Sequence, residues 1–157
     1  MVTQAVGAAL IVNGLPQLAR EVAADGVHLG KGTVSVEDAR RIAGKHIWIS
    51  VAAHTDEDVR AAAEEGVDAV LVSPVFASRP PRSGSPYKGA RGVAALRAAR
   101  SYGRGRLRIY ALGGITSENA AACASAGADG VAVIRTVLAS ADPSAQARAV
   151  HDAWAGR

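Results

Sequence analysis

Two adjacent glycines, Gly113 and Gly114, close the apolar run Ile109-Tyr110-Ala111-Leu112 and precede Ile115-Thr116-Ser117-Glu118-Asn119. Such a run reads as strand, Gly-Gly turn and helix, with Thr116 or Ser117 opening the helix over 117–126. Backbone N–H groups exposed beside a helix start suit an anion, because the amides point outward and the helix dipole favours negative charge. Glycines also let a ligand approach without a Cβ in the way. A second short strand follows at Gly127-Ala128-Asp129-Gly130-Val131-Ala132-Val133. Late strand-end loops of this kind are where (β/α)8 barrels hold phosphate. The chemistry this predicts is phosphate binding.

The elements that must position this turn alternate along the whole chain. Strands are expected at 7–12, 27–29, 47–51, 69–72, 107–112 and 130–134. Helices are expected at 15–24, 35–43, 55–65, 92–102, 117–126 and 143–154. Ser35 reads as one N-cap and Asp142, followed by Pro143, as another. The acidic run Asp56-Glu57-Asp58 complements a helix dipole. Ala24-Asp25-Gly26-Val27, Gly66-Val67-Asp68-Ala69 and Gly127-Ala128-Asp129-Gly130 repeat one helix-to-strand signature. Three copies in phase argue for repeated βα units and a parallel sheet. Their aspartates read as backbone-bonding and structural.

With 157 residues, the chain is read as one domain, 1–157, large enough for a sizeable core. Aromatic residues make up only 4%, so the core must be built from small aliphatic side chains, as under Ala-rich helices on a parallel sheet. A formal charge of +4 comes from scattered arginines. The cluster at Arg97, Arg100, Arg104, Arg106 and Arg108 reads as a solvated helix end and loop, so no nucleic-acid partner is expected. Cys123 is the single cysteine, which excludes an internal disulfide and suits a reducing compartment. No apolar run approaches ~18 residues, so no membrane partner is expected and the cytoplasm is the default location. His46 and His151 read as surface residues. Six units at roughly 25 residues each use the whole chain, whereas a closed barrel needs eight and usually more than ~200 residues. The fold class is therefore α/β, an incomplete TIM barrel of about six parallel βα units.

In order along the chain, Ile11-Val12-Asn13, Asp25-Gly26-Val27-His28-Leu29-Gly30, Val51-Ala52-Ala53-His54, Ser73-Pro74-Val75-Phe76-Ala77-Ser78, Ala111-Leu112-Gly113-Gly114-Ile115 and Gly127 to Val133 resemble one family. It is the family of thiamine phosphate synthase and its relative the thiazole tautomerase, both phosphate-binding TIM barrels. The resemblance implies a barrel lacking its first two units, truncated at the N-terminus, and a role in thiamine biosynthesis. In the synthase a thiazole phosphate attacks the CH2 of a pyrimidine pyrophosphate and displaces pyrophosphate, with Mg²⁺ on the leaving group. By this resemblance Gly113 and Gly114 hold the thiazole phosphate. Ile134 and Arg135 fall at the second phosphate-contacting turn, where the family usually has a small Ser. Arg135 there is either a charge-assisted phosphate contact or a solvent-facing strand-end residue. Asn13 matches a residue that touches pyrophosphate, and Ser78 a loop hydroxyl for pyrophosphate or pyrimidine.

The chain departs from the family at the leaving-group half. Gly14 follows Asn13 where the family has a metal-binding Asp, and Thr33 stands near the second such position. Mg²⁺ is thus expected for the family while its ligands are missing, and no metal residue is assigned. Arg82, Lys88 or Lys31 is left to supply point charge. The tautomerase alternative needs only a phosphate anchor and an acid–base group. His28 and His54, at strand ends, are of the residue type that takes up and gives a proton near neutral pH. The catalytic candidates are therefore His28, His54 and Ser78. Enzyme of either type, non-catalytic phosphate-binding paralogue and fragment remain the alternatives. An open six-unit sheet exposes its edges, which implies a homo-oligomer or a further segment.

Overall fold

The computed structural model describes residues 2–77, 89–102 and 105–156, and builds them around six parallel strands. The strands are β1 (Ile11–Asn13), β2 (Gly26–Leu29), β3 (Trp48–Ala53), β4 (Ala69–Val72), β5 (Arg108–Leu112) and β6 (Gly130–Ala132). They lie side by side in chain order, each hydrogen-bonded to the next. The helices are α1 (Val2–Ala5), α2 (Pro16–Glu21), α3 (Val36–Ala43), α4 (Asp56–Glu64), α5 (Ala94–Tyr102), α6 (Ala120–Ser125), α7 (Arg135–Leu138) and α8 (Pro143–Ala155). This is the incomplete TIM-like barrel that the alternation predicts. None of the described helices is long and apolar enough to cross a membrane.

Strand side chains alternate between two faces. Val27, Ile49, Val70, Val72, Ile109 and Ala111 are wholly buried, where they meet Val59, Leu96, Ala99 and Ala120 from the helices in one core. The alternate residues Ile11, His28, Trp48, Ser50, Leu71 and Tyr110 line the opposite, concave side. Here lies a cavity of about 680 Å³ where a closed barrel would be filled by side chains.

The recurrent aspartates do one job three times. Each carboxylate accepts the backbone N–H at the start of the preceding strand: Asp25 from Leu10 (2.7 Å), Asp68 from Ile49 (2.8 Å) and Asp129 from Ile109 (2.7 Å). Each aspartate's own N–H returns a bond to the carbonyl of that same residue. The signature thus locks consecutive strands in register, as its structural reading requires. Helix starts also follow the sequence. Ser35 caps α3, Thr55 forms a full capping box with Asp58 on α4, and Asp142 caps α8 with Pro143 at its first position.

Several boundaries differ by two residues or more, and three of these have a visible cause. The apolar run 7–12 becomes strand only from Ile11, because Val2–Ala5 forms a helical turn closed by Ala8 N–H on the Thr3 carbonyl, with Gly7 at φ +67°. An apolar run does not separate these states by periodicity alone. The helix expected over 117–126 starts at Ala120, since Asn119 accepts the Thr116 N–H and holds 116–119 as a turn. The strand expected over 130–134 stops at Ala132, and Arg135–Leu138 turns into α7.

Candidate functional site

The mouth of the half-barrel is built from strand C-termini. At one side β5 ends in Gly113 and Gly114, both in the left-handed region at φ +97° and +64°. The segment after β4 runs along them: Val75 N–H donates to the Leu112 carbonyl (2.9 Å) and Phe76 N–H to that of Gly113 (3.0 Å). A Cβ on Gly113 would stand 2.7 Å from the Pro74 Cβ, and one on Gly114 2.5 Å from the Ala77 carbonyl oxygen. The two glycines therefore serve close backbone packing as well as an open turn. An aspartate at 114, the direct probe of an anion nest, would disturb that packing together with any anion.

Beside them, α7 follows β6 and starts at Arg135, with Ile134 as its N-cap residue. The first backbone N–H groups of a helix have no intrahelical acceptor. Gly113, Gly114, Ile134 and Arg135 line one cleft of about 600 Å³, together with Thr116 and Thr136. Asn119 props the turn by donating from Nδ2 to the Gly114 carbonyl (2.9 Å), and Thr136 Oγ1 donates to the Ile115 carbonyl (2.5 Å). A short helix after the last strand, facing the preceding strand's loop, is the usual phosphate-site architecture of these barrels. The helix beside the cleft is thus α7, which the sequence did not mark, and α6 starts too late to line it. Thr116 and Thr136 were missed as well, though a hydroxyl next to each expected contact was a readable signal.

Asn13 and His28 are neighbours in register at the ends of β1 and β2, and His28 pairs in turn with Ser50 on β3. His28 Nδ1 lies 2.9 Å from the buried Ser50 hydroxyl. Burial pushes the His28 pKa below the ordinary histidine value, so the ring facing the cavity is neutral near pH 7. Ser50 was not foreseen; a hydroxyl in an otherwise apolar strand was its only mark.

His54 follows β3, and its Nδ1 is 2.9 Å from the Ser73 carbonyl oxygen. The Ser73 hydroxyl lies 3.2 Å from the same Nδ1, which either donates to the carbonyl or accepts from the hydroxyl. The His54 backbone N–H donates to Asp58 (2.7 Å), which ties it to the start of α4. His54 lines a separate cavity of about 250 Å³ with Lys31, Ser35 and Asp58. Of the phosphate-contact candidates, Gly113, Gly114, Ile134 and Arg135 thus share one cleft and Asn13 is not among its lining residues, while His28 and His54 line different cavities. Ser78, Arg82 and Lys88 lie outside the described residues.

A hard divalent cation needs several oxygen ligands. Among the described residues, no three His, Cys, Asp or Glu side chains are placed to share one. Thr33, near the expected second carboxylate, donates its hydroxyl to the Gly30 carbonyl (2.8 Å). The described residues do not fit the Mg²⁺ that the resemblance implies.

Residues 1–137 match the family model for thiamine monophosphate synthase. The chain is 36% identical over 151 residues to the thiamine-phosphate synthase of Methanoregula boonei, covering 96% of this chain and 68% of that one. It is 39% identical over 151 residues to the thiamine-phosphate synthase of Methanoculleus marisnigri, covering 96% and 69%. Among solved structures, thiamine phosphate pyrophosphorylase from Pyrococcus furiosus superposes with a TM-score of 0.86 at 25% identity, over 99% of this chain and 71% of that one.

Proposed function

The chain belongs to the thiamine monophosphate synthase family, and from that premise we propose that it seats thiazole phosphate in the cleft at the ends of β5 and β6. The observation that carries this reading is the convergence of Gly113, Gly114, Ile134 and Arg135 on one cavity. A phosphate there meets backbone N–H groups from the Gly-Gly turn and from the start of α7. The Arg135 guanidinium adds a charge-assisted contact that a small Ser would not supply. Anchoring the phosphate turns the thiazole toward the mouth, where Asn13 and His28 face the pyrimidine pyrophosphate. Holding both partners replaces a bimolecular encounter by a unimolecular one. In the coupling the thiazole forms a bond to the pyrimidine CH2 as its bond to oxygen breaks, and pyrophosphate leaves with the electron pair. The role of this chain's residues is to bind and orient. The reaction is placed in the cytoplasm, which suits the single buried thiol of Cys123.

One observation favours a second reading. His54 Nδ1 is held at the carbonyl and hydroxyl of Ser73, which orients the ring as an acid–base group for a metal-independent proton shift on a carboxythiazole phosphate.

Calorimetry with thiazole phosphate tests the anchor. Binding competed by inorganic phosphate and weakened about 10–100-fold in Arg135→Ala is expected, the range of a hydrogen bond to a charged group. No binding, or equal binding by the variant, would overturn the site. Single-turnover assays with pyrimidine pyrophosphate or with carboxythiazole phosphate alone then separate coupling, proton transfer and binding without turnover.

A further inference from the structure

Hydrogen bonding polarises the turn at Gly113 and Gly114. Four consecutive carbonyl oxygens have donors. Leu112 accepts from the Val75 N–H (2.9 Å) and Gly113 from the Phe76 N–H (3.0 Å). Gly114 accepts from Asn119 Nδ2 (2.9 Å) and Ile115 from Thr136 Oγ1 (2.5 Å). The N–H groups of Gly113, Gly114 and Ile115 are in the opposite state, since none of them bonds to any of the described residues. Backbone donors away from bulk water are nearly always paired, so three successive open ones call for a partner that only accepts. No Asp or Glu lines the cleft among the described residues, so its own side chains offer no anion.

A trans peptide points its C=O and the next residue's N–H in opposite directions. Fixing a carbonyl therefore aims the following N–H. The segment after β4 takes the Leu112 and Gly113 carbonyls and so aims the Gly113 and Gly114 N–H groups away from itself, toward the β6 side where Ala132 to Thr136 line the cleft. The Ile115 N–H has no such main-chain support. Its direction is set by the bond from Asn119 Nδ2 to the Gly114 carbonyl. The Asn119 amide is oriented in turn, because its Oδ1 accepts the Thr116 N–H (2.9 Å). That N–H shares a peptide with the Ile115 carbonyl, which Thr136 holds.

We infer, on the reading that the cleft seats a phosphate, that Asn119 is the positioning residue that supplies its third backbone donor, and that Thr136 keeps Asn119 in place. Thr136 has one hydroxyl proton, and the Ile115 carbonyl takes it. Its part is therefore to steer the turn from α7 and leave the phosphate to the backbone.

Nuclear magnetic resonance on the ¹⁵N-labelled full chain, titrated with inorganic phosphate, tests this relay. The Gly113, Gly114 and Ile115 amide protons should all move downfield. Asn119→Asp keeps an oxygen for the Thr116 N–H but sets another against the Gly114 carbonyl. It should lose the Ile115 shift, retain those of the two glycines and weaken phosphate at least about tenfold, as for one hydrogen bond to a charged group. Thr136→Val, neutral and similar in shape, should shrink the Ile115 shift and weaken phosphate about two- to tenfold, as for one neutral hydrogen bond. Thr136→Ser should restore both. Loss of all three shifts together in Thr136→Val would make its role one of general stability and overturn the inference. Failure of serine to restore the shift, or an Ile115 shift unchanged in both Asn119→Asp and Thr136→Val, would overturn it while leaving the phosphate reading of the cleft intact. Wild-type amides indifferent to phosphate would overturn both.

Discussion

Alanine at Gly114 and alanine at Gly66 impose the same backbone strain in different surroundings, and their difference isolates one contact. Gly114 has φ +64° and Gly66 has φ +68°. A left-handed residue with a Cβ costs about 1–2 kcal/mol at either position. At Gly66, which ends α4, an added Cβ meets nothing within 4 Å. At Gly114 it lies 2.5 Å from the Ala77 carbonyl oxygen and 2.9 Å from both the Cβ and the carbonyl oxygen of Phe76. Two of these atoms are backbone, in a segment pinned by the hydrogen bond from Phe76 to Gly113, so they cannot swing aside as a flexible side chain would. Overpacking of this kind adds about 1–3 kcal/mol. Gly66→Ala should therefore cost about 1–2 kcal/mol and Gly114→Ala about 2–5 kcal/mol. Urea denaturation followed by circular dichroism measures both, and each 1 kcal/mol should lower Tm by about 2–4 °C at this chain length. Equal losses in the two variants would refute the claim that Gly114 is required for the approach of residues 76–77.

Asp129 links stability to pH. Burial pushes its pKa upward, but the Ile109 N–H, the Arg100 hydrogen bond and charge, and Arg108 outweigh it and hold the carboxyl below the usual range. A depressed carboxylate contributes stability that is present above the unfolded value near 4 and lost as pH falls through the folded one. Asp129→Asn should cost about 2 kcal/mol at pH 7 and flatten the fall of urea midpoints below pH 4; an unchanged acid limb would show that the carboxylate contributes nothing there. Burial also pushes the Cys123 thiol up to about 11. Iodoacetamide at pH 8 should leave the folded chain unmodified and alkylate it in denaturant, as mass spectrometry can follow; rapid native labelling would contradict the burial of α6.

Local chemistry made much of the fold legible. Ser35, Thr55 and Asp142 cap helices because their side chains reach backbone N–H groups a few residues away. The repeated aspartates announced a repeated βα unit because each must meet the same strand start. Gly113 and Gly114 announced a turn that no side chain could make. Less legible was the cleft, since the helix beside it is a four-residue piece without propensity or cap to mark it. Ser50 could not be matched to His28 from sequence, because they meet only through the register of two strands 22 residues apart.

The sequence by itself determined the parallel βα order, the family, and the residue types available for a phosphate. These follow from periodicity, caps and short motifs, which act over a few residues. Only the tertiary structure decided that four of those residues share one cleft while His28 and His54 face different cavities. It also showed that the glycines carry a close backbone contact with the segment after β4. Such relations arise when strands distant in sequence come side by side, and no local pattern encodes them.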